Sequence, residues 1–164
     1  MSNDEEKFIV DLLSYIDSYI DLDLKRVNSK DEAIIRIYKT NNAGDIPGYL
    51  SIPLVKQKKY FLELAWSESK LSYPKLKNYP TLSMDTAYTI AHEIGHALGL
   101  VHQEPNMKDS KSNMDPYDLR FYSSDTVMSY NAFLYPEDAS LQTFFFRDLD
   151  IKALQKVWGV EKDN

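Results

Sequence analysis

All three histidines of this 164-residue chain fall in one window, His92-Glu93-Ile94-Gly95-His96-Ala97-Leu98-Gly99-Leu100-Val101-His102. No other feature narrows the possible folds as far. His92 and His96 stand four apart in a strongly helical stretch, so both imidazoles project from one face, one turn apart. Gly99 follows His96 by three residues and can end the helix in the left-handed conformation. The chain then reverses, and His102 can return to the same point. Neither core packing nor a solvated surface asks for this arrangement, whereas metal coordination does. Two such rings can hold one Zn²⁺ at about 2.0–2.1 Å per nitrogen, and three protein ligands leave a fourth position for water, the pattern of a catalytic site. Glu93 is not needed as a ligand and is placed to take a proton from a metal-bound water. In a chain of this size the five specified positions arise by chance at roughly one in 10⁵ or less, so zinc binding is the reading adopted.

The rest of the composition excludes more than it identifies. With no cysteine there is no disulfide, thiolate zinc site or cysteine nucleophile. A net charge of −6 without a basic stripe argues against nucleic acid. The acidic start, MSNDEEKFIVDLL, lacks the pattern of a secretory signal. No window approaches the ~20 apolar residues of a membrane span, so the chain reads as soluble, without a membrane partner. It is read as a monomer and a single domain over 1–164.

Apolar periodicity supplies the elements. Phe8, Leu12, Ile16 and Ile20 recur every four residues, with Ile9 and Leu13 beside them, and predict an amphipathic helix over 7–22. Residues 33–38, 48–54 and 60–66 have strand character, and Pro53 makes the second an edge strand. Residues 67–82 read as a polar connection. Ser83 or Asp85 can cap a helix from Thr86 to Leu98. Residues 103–125 read as irregular, and a last helix can be capped by Asp148 or Asp150 and ended by Gly159. Asp17, Asp21 and Asp23 fit no calcium loop and read as a solvated acidic face, so calcium has no support in the sequence. Strands followed by helices predict an α+β domain.

The histidine window resembles the signature of the metzincin zinc metallopeptidases at every specified position. Thr126-Val127-Met128-Ser129-Tyr130-Asn131 looks like the Met-turn of that family, whose methionine lies beneath the zinc. Tyr130, two residues after Met128, matches the tyrosine that serralysins and astacins use as an additional zinc ligand. The segments IDSYIDLDL, AIIRIY and DIKALQKVWG also resemble serralysin catalytic domains, so the likeness covers most of the chain. Departures accompany it. Gln103 follows His102 where serralysins have Pro and astacins Glu. Five glycines cannot build the calcium-binding repeats that follow most serralysin domains. No strand precedes the first helix, and without cysteine there is no cysteine-switch zymogen.

The resemblance implies a metalloendopeptidase that hydrolyses internal peptide bonds of a polypeptide substrate. Its fold is a twisted mixed sheet with an active-site helix, Met-turn and C-terminal helix, in an upper subdomain of about 1–99 and a lower one of about 100–164. One catalytic zinc sits on His92, His96 and His102. Glu93 is the general base, Tyr130 supports the oxyanion and Met128 lies under the metal. The family mostly acts outside the cell. Substrate is expected to lie extended along Gly48–Leu54. Phe133 and Tyr135, in the segment 131–136, either wall the pocket beyond the scissile bond or are ordinary aromatics. Two other functions stay open: a domain that holds zinc and polypeptide without cutting, and a latent enzyme with Asp4, Glu5 and Glu6 lying over the zinc.

Overall fold

The structure, a computed structural model, describes residues 1–40, 48–51, 62–67, 73–102, 125–129 and 145–162. It is an α+β chain whose described elements run α1 (Asn3–Asp17), β1 (Ile35–Lys39), β2 (Gly48–Ser51), β3 (Leu62–Trp66), β4 (Lys75–Leu76), β5 (Tyr79–Ser83), α2 (Met84–Ala97) and α3 (Asp148–Trp158). Among the described residues, no helix is long and apolar enough to cross a membrane.

Helix α1 begins earlier and ends earlier than its apolar spacing predicts. Ser2 and Glu5 form a capping box: the Ser2 hydroxyl accepts from the Glu5 amide, and the Glu5 carboxylate accepts from the Ser2 amide. That satisfies two orphan donors and starts the helix at Asn3. At the other end, Asp21 N–H donates to Gly159 O and Ile20 bridges Val160, so the chain leaves the helix to pair with the segment after α3. The apolar stripe nonetheless does what its spacing implies. Phe8, Leu12, Ile16 and Ile20 are all fully buried.

The three-stranded sheet has the order β1-β3-β2, with β1 parallel and β2 antiparallel to the central β3. Leu64 and Trp66 on β3 are buried, and the Trp66 indole N–H donates to Glu5 on α1. The Glu5 carboxylate is also 3.1 Å from Lys39. Burial pushes the Glu5 carboxyl up, but bonds from the Ser2 amide, Lys39 and Trp66 outweigh it and hold the group below its ordinary value. Strand β2 pairs only with β3 among the described residues, which puts Gly48–Ser51 at a sheet edge. Ile52, Pro53 and Leu54, the rest of the expected edge strand, lie outside the described residues.

The stretch 67–82 is not only a connection. It holds a hairpin in which Leu76 opposes Tyr79 across a two-residue turn. Tyr79 carries the hairpin into the core, its ring edge-on to Phe8 at 5.4 Å between centroids and its hydroxyl donating to Asp11. Helix α3 starts from Arg147 rather than from a capping aspartate. Asp150 instead reaches back to accept from the Arg147 amide. Gly159, at φ 91°, ends the helix as its position implies.

Candidate metal centre

Strand β5 runs directly into α2. Ser83 caps the helix, its hydroxyl accepting from the Thr86 amide. The helix is buried along nearly its whole length, so His92 and Glu93 enter the interior with exposures of 3% and 6%. Leu98 is the C-cap, and Gly99 follows at φ 101° with open space where a Cβ would be. The Leu100 amide closes the turn on Gly95 O at 2.9 Å. This reversal places Leu100 O 2.9 Å from His96 Nδ1 and carries His102 back to the other two histidines.

Carbonyl oxygens can only accept, so each ring nitrogen that meets one must carry the proton. His92 Nδ1 meets Val127 O at 2.9 Å, and His96 Nδ1 meets Leu100 O. Both Nε2 atoms are thereby left with bare lone pairs. They converge on His102 Nε2, at 3.1 Å from His92 and 3.2 Å from His96. A single proton on His102 Nε2 can satisfy one of those contacts but not both. A cation can satisfy all three. With metal–nitrogen distances of about 2.0–2.1 Å and tetrahedral angles, ligand nitrogens lie about 3.3–3.4 Å apart, close to the observed spacing. The three residues could hold a metal ion, and they are the sole such group among the described residues.

Electrostatics agree with the geometry. Burial pushes His92 down to about 3, with His96 and His102 adding to the effect and the Val127 carbonyl opposing it. Burial also lowers His96, and it lowers His102 to about 4. Neutral imidazole is the form that ligates metal. Burial acts on Glu93 in the other sense and raises its carboxyl to about 7. A carboxyl near that value is poised both to accept and to return a proton.

Two residues named in the sequence make contacts around the site that the sequence did not show. The first is Gly48, the leading residue of β2. A Cβ there would lie 2.7 Å from Thr89 Cγ2, 2.9 Å from Glu93 Cγ and 3.0 Å from Glu93 Oε1. Only glycine lets the edge strand press this closely on the carboxyl. Between strand and helix lies a cleft of about 460 Å³ whose walls include Gly48, Tyr49, Leu50, Glu93, His96 and Val101. The second is Asp150. Its carboxylate accepts from Thr126 Oγ1 at 2.5 Å and from the Val127 amide at 2.9 Å, in addition to Arg147. Burial raises its carboxyl despite those three donors.

Met128 is 2% exposed in the short turn that Asp150 grips. Its sulfur lies 2.8 Å from the point where a Cβ on Gly95 would sit, so Gly95 leaves room for the methionine against α2. The turn is tied to the site through Val127, whose carbonyl accepts from His92 Nδ1. Tyr130 and the segment 131–136, with Phe133 and Tyr135, lie outside the described residues.

Several of the acidic residues singled out above have partners elsewhere. Asp4 accepts from the amide and hydroxyl of Thr81, Glu5 is held as described above, and Glu6 pairs with Arg26. None of these partners belongs to the histidine group. Asp17 accepts from the Leu24 amide, and Asp21 pairs with Lys162. No protein-family model, curated protein or solved structure matches the chain.

Proposed function

We propose that the protein is a zinc-dependent endopeptidase of the metzincin type, most like the catalytic domain of serralysins. The observation that carries this reading is the convergence of three Nε2 atoms beside a buried carboxyl, under an edge strand. His92, His96 and His102 hold the zinc. When bound, zinc lowers the pKa of a water toward about 7 and polarises the scissile carbonyl. Glu93 takes the proton of the attacking water and delivers it to the leaving amine. The edge of β2 offers backbone donors and acceptors to an extended polypeptide, which makes backbone rather than a particular side chain the main point of recognition. Tyr130 supports the oxyanion and Met128 supports the histidines from below. The two-subdomain division, about 1–99 above the cleft and about 100–164 below it, belongs to the same reading.

Glu93 separates hydrolysis from mere binding, because a zinc-holding remnant has no use for a general base. The test is turnover of unfolded casein by wild type and Glu93→Ala, with zinc measured in both. Cleavage by wild type alone, with one zinc in each protein, supports the peptidase. Zinc in both and cleavage by neither, across varied peptides, supports a silent or latent polypeptide-binding domain instead.

A further inference from the structure

Tyr88 lies one helical turn before His92 on α2 and is 6% exposed. Its hydroxyl is 2.9 Å from Val127 O and 2.6 Å from Ser129 O. A phenol has one proton and both neighbours can only accept, so one donor is shared between the two ends of the turn that carries Met128. Val127 O is also the acceptor for His92 Nδ1. Asp150 grips the amide side of the same turn, and Tyr88 grips the carbonyl side.

We infer that Tyr88 is a positioning residue for the metal centre. By holding the Val127 and Ser129 carbonyls, it fixes the acceptor that sets the tautomer and orientation of the His92 ring. The inference rests on the metal-binding part of the proposed function and not on peptide hydrolysis. Its physical basis is that partners orienting a ligating imidazole govern how firmly the metal is held. The Tyr88 ring is fixed independently, edge-on to Phe145 at 5.5 Å. Tyr88→Phe therefore removes the donor and keeps the packing. Tyr79 provides a control: it is 3% exposed, its hydroxyl donates to Asp11 at 2.7 Å, and none of its polar partners touches the histidines.

The experiment is zinc release from the loaded protein to excess chelator, followed for wild type, Tyr88→Phe and Tyr79→Phe, with thermal stability recorded for each. Tyr88→Phe is expected to release zinc about tenfold faster, and Tyr79→Phe to stay within about twofold of wild type, the first figure being the low end of what outer partners of a metal ligand contribute. Release by Tyr88→Phe at the wild-type rate, or acceleration matched by Tyr79→Phe, overturns the inference while leaving zinc binding intact. Failure of wild type itself to hold zinc overturns both the metal-centre reading and the inference. Should Tyr88→Phe not fold, reciprocity of coupling supplies the test in the unaltered protein. Exchange of the Tyr88 hydroxyl proton should then slow on zinc loading while that of Tyr79 does not. Equal changes at the two tyrosines, or none, overturn it.

Discussion

Glu93→Gln is expected to cut turnover steeply and at the same time to stabilise the metal-free protein at alkaline pH. The side chain is 6% exposed, and burial holds its carboxyl at about 7 instead of 4.5. In the unfolded chain the same carboxyl ionises near its ordinary value. The folded-state value is thus the raised one, and stability is lost as pH rises from about 4.5 through about 7. At about 1.4 kcal/mol per pKa unit, the ionised form costs the metal-free fold on the order of 3 kcal/mol at pH 8 and under about 1 kcal/mol at pH 5. Glutamine is isosteric and uncharged but still buries a polar amide, so the net gain at pH 8 is between about 1 and 3 kcal/mol. Urea unfolding of both metal-free proteins at the two pH values reads this difference. Casein turnover of the zinc-loaded forms should fall by roughly 10²–10⁴ in the variant, with zinc retained. Equal stability of the two proteins at pH 8 would refute the burial argument, and undiminished turnover would refute the role of Glu93.

Histidine titration works in the opposite direction. His92 and His102 are lowered to about 3 and about 4, below the ordinary 6.5, so metal-free protein should lose stability as pH falls from about 6.5 toward 4, measured by urea midpoints in Glu93→Gln to remove the carboxyl's contribution. Gly48→Ala should cut turnover at least about tenfold by displacing Glu93 or the edge strand, with zinc content unchanged, since a misplacement of about 1 Å can cost that much or more; unchanged kcat would show that the strand yields freely. Gly99→Ala meets no atoms but is strained at φ 101°, so it should cost about 1–2 kcal/mol in stability, read by chemical unfolding. Asp150→Ala strands the Val127 and Arg147 amides and should destabilise the protein by about 2–4 kcal/mol, seen as a lower unfolding midpoint.

What was legible in the sequence was local. The four- and six-residue separations of the histidines, the glycine after them and the apolar stripe of α1 are properties of one element or one turn, and periodicity reads them directly. The strands announced themselves by β-branched and aromatic residues, but their order did not. The placement of β3 between β1 and β2 depends on pairings across sequence gaps that no local pattern encodes. The β4–β5 hairpin was hidden because Pro74, Pro80 and the surrounding lysines look like loop, and its fixing contact, Tyr79 on Phe8, spans most of the first half of the chain. Asp150 reads in the sequence as a possible helix cap; it lies instead within the first turn and accepts from the amide of the actual cap, Arg147. Its other bonds, to Thr126 and Val127, become visible only when the two segments meet. Tyr88 is similar: its position one turn before His92 was available, yet nothing in the sequence said that two carbonyls would lie opposite its hydroxyl. Gly48 was placed at the head of the expected substrate strand, but its closeness to Glu93 shows only once strand and helix meet.

Stripping the protein of metal and titrating zinc back tests zinc-dependent peptide hydrolysis most directly, with cleavage of unfolded casein followed by mass spectrometry at each addition. Cleavage at internal bonds should return in proportion to zinc and reach its plateau at one ion per chain, with Glu93→Ala binding the same equivalent silently. Stoichiometric binding by wild type with no new fragments would contradict the peptidase, and failure to bind at the three histidines would contradict the metal centre itself.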